Sequence, residues 1–325
     1  MKGSGGLKGS GNGRIPFVWG HRQSPLRLSP FHACLLILAL SPAAAQAAAS
    51  GAEFLLEEPA AQSAALSGAY AARQGEVDCL RYNPAGLAGM KDLALALGHD
   101  SAAGDWSDEW AALAYPVGAF TLGLEVLVST LQTFTLYDSS GTAIDSAGAN
   151  NMNLGLAAAQ NLEPWLAMGA DLRYFRSQLY TFGNQGYAFD LGLRLRAKSW
   201  PLALGVAVQN LGSETAYLQV ADPLPACLRA GVETDWPVDP QVRLHPSADL
   251  LMFQDPQHAT EFRGGVEATL FQVALFRVGM QKSGDLQGFS AGLGVRWENY
   301  RLDYAYLPDQ GLGTTQMIEL SMTNP

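Results

Sequence analysis

The side chains that could do chemistry are few and scattered in this sequence. Three histidines follow the first 47 residues, His99, His245 and His258, and none lies in an HExxH motif or beside a CxxC pair. A bound metal ion needs several clustered ligands. Isolated histidines of this kind are more often loop or interior residues than metal ligands. The sequence therefore predicts no metal site and no cofactor.

Motifs of catalysis are also missing. The sequence contains no G-x-S-x-G, no GxxxxGK[ST] and no GxGxxG tied to a strand. Adjacent acids occur at Glu57-Glu58 and Asp108-Glu109, but nothing places an acid and a base across one cleft. Glu57-Glu58 precedes Pro59, and we interpret this acidic pair as solvent-exposed or as part of the contact that docks a plug, rather than as catalytic. We therefore expect a protein that is not an enzyme.

Isolated charges recur on one face of a two-residue repeat. In Gly186–Arg196, Tyr187, Phe189 and three leucines share one face, whereas glycine, alanine and single charges share the other. Glycine weakens a strand unless another backbone must come close. A small face with mixed charges thus indicates a tight interior with paired charges and room for a plug. The predicted interior charges are Asp171, Arg173, Asp190, Arg194, Arg229, Glu233, Arg263, Glu267 and Arg296.

The elements that must position these charges are strands. From Asp92 to Pro325 the pattern alternates, as in Leu93, Leu95 and Leu97, and turn signals divide it into hairpins. The length of this region suits about fourteen strands, since membrane strands need about 9–11 residues each. We expect the longer connections near three segments: Ser139–Asn150, Ser213–Pro225 and Pro308–Thr314.

Composition agrees with an all-β membrane barrel of about fourteen antiparallel strands. Charged residues make up 15% of the 325 residues and glycine numbers 35, whereas soluble domains average about 25% charged residues. The large face of each strand would then contact outer-membrane lipid. On composition alone, a secreted Ala/Gly-rich β-protein remains equally open.

Residues 1–47 are typical of a cleavable signal peptide. They contain no acid, their five basic residues all precede an apolar run, and Ala45-Gln46-Ala47 supplies a cleavage site. The formal net charge of −10 minus the leader's +5 leaves −15 for the exported chain. This balance argues against nucleic acid as a partner. Two cysteines remain, Cys79 and Cys227, and the sequence leaves their pairing open.

The stretch from residue 48 to residue 91 follows neither pattern, and we interpret it as a plug inside a barrel formed by residues 92–325. Alanine dominates it, and Gly68 and Gly75 interrupt it. An Asn-Pro pair favours a turn, so we interpret Tyr82, Asn83, Pro84, Ala85 and Gly86 as the hinge that leads towards the first strand. A hydrophobic pocket between plug and wall would be lined by Phe54, Leu55, Leu56, Leu66 and Tyr70.

Three short motifs stand in the plug region, Gly51–Leu55, Ser67–Ala72 and Tyr82–Ala88. Together they resemble the N-terminal signature of the PorV/PorQ family of FadL-like outer-membrane proteins. Val208–Gly212 with Leu224-Pro225 is similar to its mid-barrel segment, and Gly288–Gly294, Leu302–Tyr306 and Leu312-Gly313 to its closing hairpins. The chain departs from common barrels at its end, where Ile318–Pro325 lacks a terminal aromatic residue.

The resemblance implies a plugged fourteen-stranded barrel in the outer membrane of a diderm bacterium. It implies a role in type IX secretion, in which the barrel receives exported proteins by their C-terminal signal domains or contacts other secretion components. In the wider FadL-like group it implies passage of hydrophobic small molecules instead. A structural envelope protein without cargo and a soluble secreted β-protein are the remaining alternatives.

Overall fold

A computed structural model describes residues 51–102, 104–213, 216–219, 221–309 and 313–324. The predicted signal peptide and residues 48–50 lie outside these ranges. The wall begins with strands β1 (Leu93–Ala102), β2 (Trp106–Val117), β3 (Phe120–Tyr137), β4 (Ala143–Glu163), β5 (Leu166–Leu179), β6 (Phe182–Arg196) and β7 (Leu202–Gly212). It continues with β8 (Cys227–Thr234), β9 (Trp236–Asp239), β10 (Val242–Phe253), β11 (Glu261–Leu270), β12 (Ala274–Ser283), β13 (Leu286–Trp297), β14 (Tyr300–Asp309) and β15 (Gly313–Asn324).

The strands form one closed antiparallel barrel. Apart from β8 and β9, each strand pairs with its sequence neighbours, and β1 pairs with β15 from Leu93–Asn324 to Ser101–Gln316. The short strand β9 continues β8 after Asp235, and both pair with β10. β8 and β9 therefore occupy one position in the wall. Within β9, Pro237 has no backbone N–H and cannot donate a hydrogen bond to a neighbouring strand. The wall thus has fourteen positions, and the predicted all-β barrel of about fourteen strands is confirmed.

Alternation along the strands separates an apolar outer face from a small, polar inner face. Leu156, Leu172, Leu293 and Ile318 point outward and are half exposed. Between them stand inward alanines, glycines and charged residues, which are buried. This two-residue period is the one that a barrel in lipid requires.

The two rims of the barrel differ. We call the end that holds the start of β1 and the end of β15 the terminal rim; its turns include 118–119, 164–165 and 298–299. The opposite end, the loop rim, carries the 213–226 connection. One expected long loop is shorter than predicted, because Ala143–Asn150 belongs to β4 and pairs with β3. The Pro308–Thr314 connection lies partly outside the described residues.

Residues 51–91, the plug, fill the barrel. Short 3-10 turns span Glu53–Leu56, Val77–Arg81 and Pro84–Leu87, and one helical turn spans Ala61–Ala64. Among the described residues, no helix is long and apolar enough to cross a membrane.

Inward glycines let the plug backbone approach the wall. A Cβ added at Gly169 on β5 would lie 2.5 Å from the Ala85 nitrogen. A Cβ added at Gly205 on β7 would overlap the Ala71 carbonyl oxygen. Real Cβ atoms do not approach other atoms so closely, so the small inner face is the physical condition for a filled lumen.

Candidate functional site

The motif around Asn83 anchors the plug to the wall. The fully buried Asn83 amide donates to the Ala71 carbonyl at 2.8 Å and to the Leu193 carbonyl of β6 at 3.0 Å. Its oxygen accepts from the Ala85 N–H at 3.1 Å. Each polar atom of a fully buried amide is therefore satisfied, which the low dielectric of the interior demands.

The neighbours of Asn83 complete this anchor. The Tyr82 hydroxyl donates to the Ser63 hydroxyl at 2.8 Å. At Gly86 an added Cβ would lie 2.6 Å from the Arg73 carbonyl oxygen, so only glycine fits there. The segment Tyr82–Gly86, predicted to be the hinge that leads towards the first strand, is buried inside the lumen, and β1 begins at Leu93.

The five residues predicted to line one pocket do not converge. Phe54 and Leu55 pack near the loop rim with Phe175, whose ring centroid lies 5.8 Å from that of Phe54, and with Ala188 and Leu224. Leu66 and Tyr70 belong to a separate cluster, in which the Tyr70 and Tyr82 rings lie 5.2 Å apart.

The reason for this separation is local structure. Leu56 is only partly buried, and the helical turn Ala61–Ala64 lies between the two groups along the chain. That turn packs against β13, β14 and β15. Apolar residues before and after this turn therefore reach different parts of the wall.

The predicted interior charges do face the lumen, and most are paired within the wall. Arg173 contacts Asp190 at 2.6 Å and Asp171 at 3.5 Å. Arg229 contacts Asp249 at 3.2 Å. Arg277, fully buried on β12, holds Glu267 at 2.7 Å and Asp303 at 2.6 Å, so it bridges two neighbouring regions of the wall.

A second set of ion pairs joins the plug to the wall. Arg73 of the plug binds Glu233 at 2.8 Å and Glu267 at 2.7 Å. Arg263 contacts Glu58 of the plug and binds Glu261 at 2.8 Å. Further pairs are Arg81 with Glu125 at 3.2 Å and Glu76 with Arg301 at 2.8 Å. These contacts make the plug–wall interface ionic as well as apolar.

Two predicted charges lack a carboxylate partner among the described residues. Arg194 donates from Nε to the Ala72 carbonyl and from Nη1 to the Gln74 side chain, both at 2.6 Å. Arg296 is exposed at the terminal rim. Sequence reasoning also missed the plug's own charges, Arg73, Glu76 and Arg81. A charged residue in a segment predicted to fill a barrel is buried and therefore needs a partner on the wall. This rule would have identified the three plug residues from the sequence.

Glu57 belongs to a carboxyl cluster near the loop rim. It accepts a hydrogen bond from the Ser129 hydroxyl at 2.5 Å, and the same hydroxyl contacts Asp108 of β2. Burial, followed by the nearby Asp108 charge, raises the pKa of the Glu57 carboxyl to about 7. Asp100 of β1 completes the cluster by accepting from the Asp108 N–H at 3.1 Å.

A β-bulge on β7 explains two of the sequence motifs together. Asn210 adopts a left-handed backbone with φ of +58°, a conformation that asparagine tolerates better than most residues. Its N–H donates to Asp190 at 2.7 Å, its side-chain oxygen accepts from Arg173 at 2.6 Å, and its amide donates to the Pro225 carbonyl at 3.0 Å. Asn210 thereby fastens the 213–226 connection to the wall.

The remaining candidates for chemistry lie apart. Cys79 and Cys227 are both buried and free, so the possible disulfide is not formed. His99 contacts Glu109 on the outer face at 2.8 Å, far along the chain from His245 and His258. In the part of the chain that is described, no group of three or more His, Cys, Asp or Glu side chains could hold a metal ion.

Three cavities surround the plug segment Arg73–Glu76 at the terminal rim. Their volumes are about 940, 610 and 280 Å³. The largest of the three lies between this segment and the ends of β6 to β11, and arginine and carboxylate side chains line it. None of the three is lined by the five residues predicted to form a pocket.

Comparisons with known proteins support the fold. No protein-family model and no curated protein matches the sequence. Among solved structures, the Pseudomonas putida toluene transporter TodX aligns with a TM-score of 0.64 and 11% identity, over 83% of this chain and 99% of TodX. The monoaromatic hydrocarbon channel CymD aligns with a TM-score of 0.56 and 13% identity, over 80% of this chain and 95% of CymD.

A Pseudomonas aeruginosa FadL homologue also aligns, with a TM-score of 0.51 and 10% identity, over 81% of this chain and 97% of the homologue. Identities this low establish similarity of fold alone. The chain therefore has the fold of the FadL-type fourteen-stranded barrels.

Proposed function

We propose that this protein is a plugged outer-membrane channel that passes hydrophobic small molecules. The observation that carries the proposal is a closed FadL-type barrel whose lumen is occupied by its own N-terminal segment. Two of its structural neighbours are described as a toluene transporter and a monoaromatic hydrocarbon channel. A transport function for this chain follows by analogy of fold, and the substrate is named only by its class.

The proposal includes the placement of the chain. Residues 1–47 act as a cleavable signal peptide, residues 48–91 as the plug, and residues 92–325 as the barrel. The belt of half-exposed leucine, valine and phenylalanine side chains on the outer face supports insertion into lipid. A diderm outer membrane is the compartment that houses barrels of this type.

Passage requires a change in the plug. The contacts that hold it are local and of several kinds: the Asn83 anchor, the Arg73 and Arg81 ion pairs, and apolar clusters at Tyr70 and Phe54. Movement of a few of these groups would connect the cavities at the terminal rim with the rest of the lumen. The ion pairs of Arg73 and Arg81 thus help to hold the plug.

The PorV/PorQ assignment and a role in type IX secretion depend on the sequence motifs alone. The structural neighbours described above are channels, and none of them supports binding of C-terminal signal domains. We keep the secretion role as a second outcome of the test, because it predicts a different bound partner for the same barrel.

The test is uptake of a radiolabelled monoaromatic hydrocarbon by cells that carry the barrel in the outer membrane. Heat-modifiable migration on a gel confirms that the barrel is folded there. We expect uptake above that of cells without the protein. The matched control is a variant lacking Glu53–Gly89, which should leave an open barrel with higher ion conductance in planar bilayers.

Uptake equal to that of cells without the folded barrel would refute the channel proposal. Copurification of C-terminal domains of secreted proteins, together with absent uptake, would replace it with the secretion role. A closed, non-conducting barrel after deletion of Glu53–Gly89 would contradict the role of the plug.

A further inference from the structure

Two buried carboxyl groups, Asp78 of the plug and Glu319 of β15, lack the partners that other lumen charges have. Both side chains are fully buried. Neither oxygen of Asp78 forms a hydrogen bond with a described residue, and the same holds for Oε1 of Glu319. The other oxygen of Glu319 accepts from the Gln62 N–H at 3.3 Å. A buried carboxylate without donors is strongly destabilised, so each of these groups needs a compensating positive charge.

The wall places Glu319 beside another acid. Asp303 of β14 lies directly opposite Glu319 in the β14–β15 register, and its side chain is also fully buried. Like charges directly opposite each other destabilise a sheet. Asp303 is compensated, because Arg277 and Arg301 each bind it at 2.6 Å. Glu319 lies 3.9 Å from Arg301, which is beyond hydrogen-bond distance.

The arginines beside these acids are too few to neutralise them. Three guanidinium groups, those of Arg73, Arg277 and Arg301, are each shared between two carboxylates. Together with Asp78 and Glu319, this connected group contains six carboxyl groups: Glu76, Asp78, Glu233, Glu267, Asp303 and Glu319. His245, which lies 4.0 Å from Glu233, adds at most one positive charge. At least two carboxyl groups therefore exceed the positive charge in contact with them.

The other elements around Asp78 supply no cation. Its segment, Val77–Arg81, packs against β1, β2, β3 and the turn Pro84–Leu87. Neither those strands nor that turn contains a lysine or an arginine. Arg81 of the segment itself binds Glu125 at 3.2 Å. The buried charged residues of the three strands are all acidic: Asp100, Asp108 and Glu125.

We propose that Asp78 and Glu319 are proton-binding groups that couple docking of the plug to the uptake of protons. Each carries a proton while the plug fills the lumen and releases it to water when the plug moves. The neutral carboxyl group is the form that a buried site tolerates. In the part of the chain that is described, no three acidic, histidine or cysteine side chains converge on a metal position, so protons supply the missing charge. Because one group belongs to the plug and the other to the wall, their negative charges oppose docking once both are ionised.

The proton affinity of Asp78 gives the pH range. Burial, opposed by Arg301 and reinforced by Glu76, raises the pKa of the Asp78 carboxyl from 3.8 to about 7. The pKa is raised in the docked state, so the contribution of this proton to docking is fully present below about pH 3.8 and is lost as the pH rises through about 7. Docking should thus weaken about tenfold between about pH 6 and about pH 9 from this group alone. The proposal describes a regulation of the proposed channel and rests on that function only because the plug must move.

The first test is infrared spectroscopy of the folded barrel in a detergent without ester groups. A protonated carboxyl group gives a C=O band that is separate from the bands of a carboxylate. The difference spectrum between the unaltered protein and Asp78→Asn should contain this band at about pH 6 and lose it at about pH 9. Glu319→Gln should give an acid band in the same way, and it keeps the proposal testable if Asp78→Asn does not fold.

The second test is hydrogen exchange, expressed as protection factors of residues 76–81. All proteins compared carry Glu57→Gln, which removes the separate pH response of that carboxyl. Without further substitution, the factors should fall about tenfold or more between about pH 6 and about pH 9. Asp78→Asn stays neutral at every pH, so its fall should be less than about threefold. Asp92→Asn is the matched control, because Asp92 is partly exposed at the end of the plug, and it should leave the fall unchanged.

Three results would overturn the proposal. The first is absence of the acid band from either difference spectrum, and the second is an equal fall of protection in Asp78→Asn and Asp92→Asn. The third is an acid band that appears only when sodium is replaced by choline, which would assign the site to a bound sodium ion. These readouts are separable from hydrocarbon uptake. Uptake by a barrel in which Asp78 is ionised would keep the channel function and refute the proton coupling, whereas proton binding without uptake would do the reverse.

Discussion

Arg277 offers the sharpest test of the ionic lumen. Its guanidinium is fully buried, contacts Glu267 at 2.7 Å and Asp303 at 2.6 Å, and donates to the Gln62 side chain of the plug at 3.2 Å. Removal of one partner of a buried pair costs about 3–5 kcal/mol, because the other charge stays buried. Here Glu267 keeps Arg73 and Asp303 keeps Arg301. The Arg277→Met variant should therefore lose about 3 kcal/mol, the lower end of that range.

Arg243→Met is the matched control. Arg243 also faces the barrel interior and binds Asp235 at 2.9 Å, but its side chain is 55% exposed and that of Asp235 is 44% exposed. Exposed pairs contribute about 0–1 kcal/mol, so this variant should be nearly as stable as the unaltered barrel.

The assay is guanidinium unfolding of the barrel in detergent, followed by tryptophan fluorescence. Guanidinium m-values are roughly 2–6 kcal/mol/M for small proteins and rise with size. The midpoint for Arg277→Met should thus fall by about 0.5–1 M, and that for Arg243→Met by less than about 0.3 M. Equal loss of stability in the two variants would refute the claim that burial of these pairs determines their contribution.

Two further predictions concern the fit of the plug. Gly205→Ala should displace the plug, because the new Cβ overlaps the Ala71 carbonyl. Gly264→Ala is the control and should leave the plug in place, because the nearest atom to its new Cβ lies 3.8 Å away. Hydrogen exchange of the plug amides checks this, and equal protection in both variants would contradict it. The pKa of Glu57 is raised from 4.5 to about 7, so its contribution to docking is fully present below about pH 4.5 and is lost as the pH rises through about 7. The protection factors of residues 53–58, which compare exchange with the intrinsic rate at each pH, should fall over this window. Glu57→Gln, which keeps a neutral side chain beside Ser129, should remove most of this fall; an unchanged pH response in that variant would contradict the assignment.

Much of the wall could be predicted because its pattern is local. Alternation of large and small residues defines which side chain faces lipid, and this depends only on the two-residue period of a strand. The glycine-rich face predicted a filled lumen for the same reason, and the fit of Gly205 against Ala71 shows the physical cause. The same alternation predicted which charged side chains face the lumen, because every second residue of a strand lies on the same face.

The partners of those charges could not be predicted. Arg277 meets Glu267 directly across β11 and β12, and its second partner, Asp303, belongs to β14, two positions further round the wall. Pairs of this kind depend on how strands are staggered around a closed barrel. The separation of the predicted pocket residues has a related cause: Phe54 and Leu66 are both apolar, but the helical turn between them directs them to different parts of the wall.

The mixture of contacts around the plug also bears on its capacity to move. A plug held by apolar contacts alone would expose its whole interface to water when it moved, at about 25 cal/mol for each Å². Buried ion pairs such as Arg73–Glu233 and Arg81–Glu125 behave differently, because each charge regains hydration when water enters the lumen. Pairs of this kind nearly break even against solvation, although they fix geometry when formed. An ionic interface therefore specifies one docked position of the plug while adding little to the cost of leaving it. The channel that we propose needs both properties.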